Sequence, residues 1–245
     1  MYNNKVYKMC RMYILWGSYN KDKKYNEMID NHYSKYFDKK ILSRGLCRIY
    51  NKSITYKKEL HYNKDNKKQK IKEKLDNPKL KYLINHVRIP FDKKEESIIK
   101  NNIHPFVYKN RYLCMHNGQI EFKKNMSINE KKEIKGTTDS ERFFNILIKI
   151  KEEKDLENIY EGILEIYKYI LQDSLLNIII LDKVENIVIA YRGVAKHKEM
   201  TPLYIYNYGI TNIRSDDDYI ILPHNALFIR KNKENIIYKN YVKNL

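Results

Sequence analysis

Apolar residues recur along this chain with two different periods, and each period predicts a different kind of element. Residues 10–16 and 83–89 are short, apolar-rich runs of the kind that form buried β-strands. From 139 to 171 apolar residues instead recur every three or four positions, as on one face of a helix. Strand-length runs return from residue 175 onward, so we predict helices between two groups of strands.

Two helices are predicted in the middle of the chain. The first begins after Thr138, which has Glu141 three residues later, the spacing of a capping box. The second shows the more regular helical period, over residues 156–171. The apolar residues assigned to the inner faces are Phe143, Phe144, Leu147 and Ile150 in the first helix and Leu156, Ile159, Tyr160, Ile163, Leu164, Tyr167, Ile170 and Leu171 in the second.

A β-hairpin is predicted just before the first helix. Asn117-Gly118 lies between the segments 111–115 and 119–122, and Asn-Gly is the strongest short signal for a type I′ turn. Further strands are predicted over 175–181, 186–192, 203–206, 219–222, 226–230 and 236–242. Strands on both sides of two helices, with few prolines and glycines to form a linker, predict one layered α+β domain.

The formal net charge of +18 raises the question of nucleic-acid binding. Only nine of the 48 basic residues are arginine, and the lysines are spread over all the predicted elements. They accompany many asparagines and isoleucines and 23 tyrosines, a mixture that an AT-rich genome encodes without any requirement for binding. The densest run, around 57–81, is interpreted as a solvated Lys-rich insertion. Nonspecific contact with a phosphate backbone is the alternative.

Other features of the sequence bear on location and chemistry. No run reaches the ~18 apolar residues of a membrane helix, and the N-terminal segment lacks the apolar core of a signal peptide. The three cysteines, Cys10, Cys47 and Cys114, are odd in number and lack metal-site spacing, which suits a reducing compartment. We therefore expect a cytoplasmic protein without a membrane partner, a metal or a cofactor.

Four short sets of residues contain the side chains needed to attack an amide. They are Met9-Cys10-Arg11, His86-Val87-Arg88, Asn102-Ile103-His104-Pro105-Phe106 followed by Met115-His116-Asn117-Gly118, and Gly136-Thr137-Thr138-Asp139-Ser140-Glu141. A cysteine at a chain's own N-terminus has a base available, because an α-amine has a pKa near ~8. Amide donors can stabilise an oxyanion, a guanidinium binds a carboxylate, and a carboxylate binds an ammonium group.

In this order, the motifs resemble the glutaminase domain of class II (N-terminal-nucleophile) glutamine amidotransferases. Within that family they are most similar to the small stand-alone branch that includes γ-glutamyl amidohydrolases. The resemblance implies a four-layer αββα sandwich of the Ntn-hydrolase type with mostly antiparallel sheets. It also implies roles for six residues: Cys10 as nucleophile, Asn117 and Gly118 as oxyanion hole, Arg88 and Asp139 as the pair that binds the α-carboxylate and α-ammonium of glutamine, and His104 as a residue that shapes the pocket.

Each motif also has a purely structural interpretation. Asn117-Gly118 alone is a plain hairpin turn, and Thr138 to Glu141 alone is a helix cap. Cys10 alone, in an apolar strand, is typical of core packing. The ordered combination of motifs favours the enzymatic interpretation, with which the turn and the cap are compatible.

The sequence departs from the family pattern at three places. Residues 43–47 replace a Gly-Trp-Gly-like strand, and Ile89-Pro90-Phe91 follows Arg88 where the family prefers a small residue and a threonine. Residues 1–9 precede Cys10 and are interpreted as a leader or a mis-assigned start. Translation from Met9 followed by removal of that methionine, which we favour, or processing of a propeptide would make Cys10 N-terminal, and residues 10–245 would then form a single amidotransferase domain.

We therefore expect a hydrolase that cleaves the γ-amide of glutamine or a γ-glutamyl small molecule through a thioester on Cys10. It would release ammonia or an amine, or supply a separate acceptor or synthase subunit. One alternative is a catalytically inactive, amidotransferase-like binding or regulatory protein, which a retained leader would favour. The third hypothesis is a basic nucleic-acid-binding protein, which would show steeply salt-dependent binding.

Overall fold

Thirteen β-strands and two α-helices form the regular structure of the residues that the computed structural model describes, which are 10–17, 43–50, 53–60, 79–88, 99–124, 134–193, 201–214, 218–239 and 241–242. The strands are β1 (Arg11–Trp16), β2 (Ser43–Tyr50), β3 (Ile54–Leu60), β4 (Leu80–Arg88), β5 (Phe106–Tyr108), β6 (Tyr112–Gln119), β7 (Leu175–Asp182), β8 (Ile187–Gly193), β9 (Tyr204–Tyr206), β10 (Gly209–Thr211), β11 (Ile220–Ile221), β12 (Ala226–Lys231) and β13 (Glu234–Tyr238). The helices are α1 (Asp139–Glu153) and α2 (Glu161–Ile166), with short 3-10 turns at Lys100–Asn102 and Tyr167–Tyr169.

The strands form two antiparallel sheets. The seven-stranded sheet has the order β11-β9-β10-β1-β4-β2-β3, and the six-stranded sheet has the order β13-β12-β8-β7-β6-β5. In the first sheet β1 is central, with Tyr13 opposite Thr211 of β10 and Met12 opposite His86 of β4. In the second sheet β6 pairs with β7, so both helices lie in the connection between two neighbouring strands.

A layer of apolar side chains joins the two sheets. Because side chains alternate along a strand, every second residue of β1 enters this layer, and Met12, Ile14 and Trp16 are at most 5% exposed. The six-stranded sheet contributes Met115 of β6 and Ile179 of β7 to the same layer. Burying one large apolar side chain is worth about 1.5–3 kcal/mol, so this layer is a major contribution to holding the sheets together.

Helices α1 and α2 cover the outer face of the six-stranded sheet. The four predicted inner residues of α1 are all buried, which confirms that helix. Helix α2 is shorter than predicted, because it begins only at Glu161 and gives way to a 3-10 turn at Tyr167. Leu164 and Leu171, which were predicted on its inner face, are 39% and 40% exposed. Two antiparallel sheets with few helices confirm the predicted α+β class. The second helical layer of an αββα sandwich would lie on the other sheet, where the described residues include no helix.

The predicted hairpin turn at Asn117-Gly118 is wrong. Strand β6 continues through both residues and pairs with β7 over its whole length. The tight turn comes earlier, at Lys109 and Asn110, whose φ angles of 47° and 50° connect β5 to β6. The Asn-Gly pair is therefore part of the sheet that faces the inter-sheet layer.

Several sequence predictions concern residues that lie partly or wholly outside the described ranges. Residues 1–9 and the Ile89-Pro90-Phe91 segment lie outside them. In the Lys-rich segment, residues 57–60 belong to β3 and 80–81 to β4, while 61–78 lie outside. Strands β2 and β3 were not predicted from the apolar pattern. Among the described helices, none combines the length and the apolar composition that crossing a bilayer requires.

Candidate active site

Cys10 immediately precedes β1, at one end of the layer between the sheets. The alternation that places Met12 in this layer places Cys10 on the same face of the sheet. Arg11 pairs with Val87 of β4, so the next step along this antiparallel ladder brings Cys10 opposite Arg88. Two of the six predicted site residues thus lie at the same end of the β1–β4 pair.

Cys10 is also the most accessible of the three cysteines. It is half-buried, whereas Cys47 and Cys114 are fully buried, and none of the three forms a disulfide bond within the described part of the chain. Burial raises the pKa of Cys47 to about 12 and raises the pKa of Cys114 well above its ordinary value. Because the thiolate is the nucleophile, the two buried thiols are inert at neutral pH, which leaves Cys10 as the candidate.

The side chain of Asn212 holds the backbone around Cys10. Its Nδ2 donates to the carbonyl oxygen of Cys10 at 2.7 Å, and its Oδ1 accepts from the backbone N–H of Met12 at 2.9 Å. Asn212 follows β10 directly and is 1% exposed. The pairing of β10 with β1 ends at Thr211 and Tyr13, and the Asn212 side chain continues the contact between these segments by binding Met12 N. The motifs did not predict this residue, and its position along the chain gives no signal for such a role.

A buried histidine links β1 and β4 to the segment around Asn117 and Gly118 on the other sheet. His86 lies opposite Met12 and its Nε2 donates to the carbonyl oxygen of His116 at 3.1 Å. Burial lowers the pKa of His86 to about 3, so its ring is neutral and donates through one nitrogen. This bond crosses the layer between the sheets one residue before Asn117. It brings the end of β6 to the same end of the layer as Cys10.

Asn117 and Gly118 occupy the end of β6 with features expected of an oxyanion hole. Asn117 is 1% exposed and its Nδ2 has no hydrogen-bond partner among the described residues. A buried donor without a partner is destabilising, so it indicates a place where a substrate oxygen could bind. Gly118 has a φ of 154°, and a Cβ atom there would lie 2.0 Å from the carbonyl oxygen of Leu175. Only glycine fits this position.

His116 connects the end of β6, which contains Asn117 and Gly118, to the first turn of α1. Its Nε2 donates to the carbonyl oxygen of Leu175 at 2.9 Å, and its Nδ1 lies 2.8 Å from the hydroxyl oxygen of Ser140. Burial lowers the pKa of His116, and the Asp139 carboxylate opposes that shift. In the neutral ring, Nδ1 accepts from the Ser140 hydroxyl. The side chain thereby fixes β6 relative to α1.

Asp139 is the first residue of α1, and its carboxylate is held in place by backbone donors. It accepts from Ile120 N and from Ser140 N, both at 2.7 Å. The N-cap hydroxyl of Thr138 accepts from Glu141 N at 3.1 Å, which confirms half of the predicted capping box. The other half differs, because the Glu141 carboxylate accepts from the backbone N–H groups of Lys135 and Gly136. An ionised carboxylate offers about four acceptor positions, so Asp139 retains capacity for an ammonium group.

Asn102 joins Arg88 to the segment that leads into α1. The guanidinium Nη1 of Arg88 donates to the carbonyl oxygen of Asn102 at 3.3 Å. The side chain of Asn102, which is fully buried, makes a reciprocal pair with Thr137: its Nδ2 donates to Oγ1 at 3.0 Å and its Oδ1 accepts from N at 2.8 Å. The cation of Arg88 and the anion of Asp139 are thus brought to the same region.

His104 lies behind His86 in the buried part of the fold. The two rings are 4.1 Å apart between centroids, and Phe106 contacts the other side at 4.4 Å. Burial lowers the pKa of His104 well below its ordinary value, so the ring is neutral. Its carbonyl oxygen approaches β2 so closely that a Cβ atom at Gly45 would be 1.6 Å away. His104 therefore packs between His86 and Phe106, and Gly45 permits its close approach to β2.

The structure brings five of the predicted residues to one end of the inter-sheet layer, with His104 packed behind them. The residues at this end are Cys10, Arg88, Asn117, Gly118 and Asp139. Asn212 and Ser140 support them and were not predicted, although Ser140 lies within a quoted motif. In the described part of the chain, no group of three or more His, Cys, Asp or Glu residues is arranged to hold a metal ion.

By sequence, the chain matches no protein-family model and no curated protein. By structure, it is similar to glutamine phosphoribosylpyrophosphate amidotransferase from B. subtilis, with a TM-score of 0.63 and 12% identity over 96% of this chain and 50% of that one. It is also similar to a structure described as the allosteric regulatory enzyme of purine biosynthesis, with a TM-score of 0.65 and 13% identity over 96% of this chain and 50% of that one. This chain therefore spans half the length of these two enzymes.

A third similar structure has nearly the same extent as this chain. It is a glutamine aminotransferase class-II domain protein from Silicibacter pomeroyi, with a TM-score of 0.57 and 14% identity over 94% of this chain and 99% of that one. These similarities define the fold: this chain has the Ntn-hydrolase fold of class II glutamine amidotransferase domains. The comparisons thus confirm the predicted fold, while the activity and the branch remain to be proposed from the site.

Proposed function

We propose that this chain is a cysteine hydrolase of the class II glutamine amidotransferase type. It cleaves the γ-amide of glutamine or of a γ-glutamyl small molecule. The observation that carries the proposal is that Cys10 is half-buried just before β1, while the His86–His116 hydrogen bond joins the neighbouring strand β4 to the end of β6, where the buried Nδ2 of Asn117 has no partner among the described residues. A nucleophile beside an unfilled donor is what attack on an amide carbonyl requires.

The first step is acylation of the thiol. The thiolate of Cys10 attacks the γ-carbonyl carbon, and the oxyanion is stabilised by Asn117 Nδ2 and the backbone N–H of Gly118. The proton of the thiol moves to the α-amine of Cys10 and from there to the leaving nitrogen. The carbon–nitrogen bond then breaks, releasing ammonia or an amine and leaving a γ-glutamyl thioester. Loss of one oxyanion donor in such a site typically costs roughly 3–4 kcal/mol of transition-state stabilisation.

Two charged residues hold the rest of the substrate. The guanidinium of Arg88 binds the α-carboxylate and the carboxylate of Asp139 binds the α-ammonium group. Their connection supports this role, because Asn102 binds both Arg88 and Thr137, which lies two residues before Asp139. His104, packed against His86, shapes the pocket without contacting the reacting atoms.

Water completes the cycle by attacking the thioester carbon. The α-amine of Cys10 takes a proton from this water, glutamate leaves, and the thiol is regenerated. The released ammonia or amine goes to solvent or to a separate acceptor subunit. The order of the motifs around Cys10, Arg88, Asn117 and Asp139 supports a hydrolase of the γ-glutamyl amidohydrolase type.

The mechanism requires that Cys10 be the N-terminal residue of the active protein. Its half-buried position immediately before β1 and the contact of its carbonyl oxygen with Asn212 support a fixed placement for this residue. Removal of residues 1–9, or translation from Met9 followed by removal of that methionine, supplies the α-amine. If these residues remain attached, the base is lost, and a non-catalytic binding or regulatory role is the alternative.

The test is the intact mass of the protein before and after reaction with a diazo-ketone analogue of glutamine. We expect a chain that begins at Cys10 and gains one adduct at that residue. Cys10→Ser should remove the adduct and the release of ammonia from glutamine, while Cys47→Ser, a change in a buried thiol, should preserve both. A chain that begins at Met1 and stays unlabelled would refute the proposed activity.

A further inference from the structure

A row of three polar side chains crosses the inner face of the six-stranded sheet. Asn117 of β6 lies opposite Asn177 of β7, which in turn lies opposite Arg192 of β8. The inner-face residues next to them along β6 and β7, Met115 and Ile179, belong to the apolar layer. The row therefore marks the place where that layer changes from apolar to polar.

Asn177 has an unsatisfied acceptor in a fixed orientation. Its Nδ2 donates to the carbonyl oxygen of Thr201 at 2.6 Å, which determines which end of the carboxamide carries the oxygen. The residue is 0% exposed, and its Oδ1 has no hydrogen-bond partner in the described part of the chain. Arg192 differs, because its Nη1 donates to the carbonyl oxygen of Leu222 at 2.8 Å.

The unpaired atoms of the two asparagines are complementary in kind. Asn117 offers an N–H donor and Asn177 an oxygen acceptor, on directly opposed residues whose Cβ atoms are typically about 4.5–5.5 Å apart in such a pair. A primary or secondary amide has the complementary groups, because its carbonyl oxygen accepts a hydrogen bond and its N–H donates one. A buried donor and acceptor left open side by side are expected to be filled by a ligand with that pattern.

We propose that Oδ1 of Asn177 accepts a hydrogen bond from the N–H of the scissile γ-amide. This inference rests on the proposed function and defines the substrate class as amides that keep at least one N–H. When the leaving nitrogen takes a proton from the α-amine of Cys10, the N–H donor becomes charged and the bond to Asn177 strengthens. Asn177 thereby contributes more to the transition state than to substrate binding.

The experiment compares an amide with an ester of the same acyl group. L-Glutamine and the γ-methyl ester of L-glutamate both form the Cys10 thioester, but the ester has no N–H to donate. The variants are Asn177→Ala and Asn177→Leu, the second filling the space of the lost carboxamide. The measured quantity is kcat/KM for each substrate, which covers the steps through thioester formation.

We expect both variants to lose about tenfold or more in kcat/KM for glutamine and less than about threefold for the ester. Asn145→Ala is the matched control, because Asn145 of α1 is also a buried asparagine whose Oδ1 has no partner among the described residues. This variant should leave the ratio of kcat/KM for glutamine to kcat/KM for the ester unchanged. Equal losses for amide and ester, or no loss for the amide, would overturn the role of Asn177. A wild-type protein that cleaves neither substrate would overturn the proposed function itself, and this inference with it.

Discussion

Replacing Asn212 by alanine should both destabilise the fold and misplace the nucleophile. Asn212 is 1% exposed and makes two hydrogen bonds to the backbone of β1 and its preceding residue, one to Cys10 O and one from Met12 N. Alanine can make neither of these bonds. The N–H of Met12, a residue that is 0% exposed, would lose its partner inside the protein.

The magnitude follows from the burial of the two groups. Leaving a buried backbone donor unpaired costs about 1–3 kcal/mol, and the Cys10 carbonyl adds about 1 kcal/mol at most because it can be rehydrated. We therefore expect the free energy of unfolding to fall by about 2–4 kcal/mol. The free energy of unfolding of a domain is typically about 5–15 kcal/mol, so the variant should still fold. The first-order rate of labelling by the diazo-ketone should fall about tenfold or more, since the thiol is no longer held opposite Arg88.

Urea unfolding followed by circular dichroism measures the stability, and intact-mass kinetics measure the labelling. Asn212→Asp keeps an oxygen for Met12 N but cannot donate to Cys10 O, so it should lose labelling while retaining part of the stability. The control is Asn235→Ala, in the exposed β12–β13 hairpin, which should change the free energy of unfolding by less than about 0.5 kcal/mol. An Asn212→Ala protein with wild-type stability and wild-type labelling would refute the role given to this residue.

Two further predictions concern Gly118 of β6 and the buried His86 of β4. Gly118→Ala should abolish labelling and lower the free energy of unfolding by about 2–4 kcal/mol, because the added Cβ would lie 2.0 Å from the carbonyl oxygen of Leu175; unchanged urea melts would contradict this. The pKa of His86 is about 3 in the folded chain and 6.5 when unperturbed, so on acidification the unfolded chain takes up this proton first. The stabilisation is complete above pH 6.5 and is lost as the pH falls toward 3, by up to about 1.4 kcal/mol per pH unit. In urea melts at pH 7, 6 and 5, His86→Gln should show a shallower pH dependence than the wild type, and equal slopes would count against the assignment.

Elements set by local information were predicted well. Helix α1 has its cap at Thr138 and its apolar residues at helical spacing, and strands β7, β8 and β12 occur where the apolar runs predicted them. The Asn117-Gly118 turn failed because turn preference is local, whereas the observed strand is stabilised by eight residue pairs with β7. The second helix was overextended because an apolar period does not show where a 3-10 turn replaces the α-helix.

The sequence by itself determined the chemical types of the candidate residues, their order, and the α+β pattern of the elements. It also determined that Cys10 shares a strand face with Met12, because alternation along a strand is fixed by backbone geometry. Only the tertiary structure decided that Cys10, Arg88 and Asn117 lie at one end of one layer. The support from Asn212 and the open acceptor of Asn177 likewise depend on strand register between segments that are far apart along the chain. Such register is set by packing across the sheets, which no local spacing in the sequence encodes.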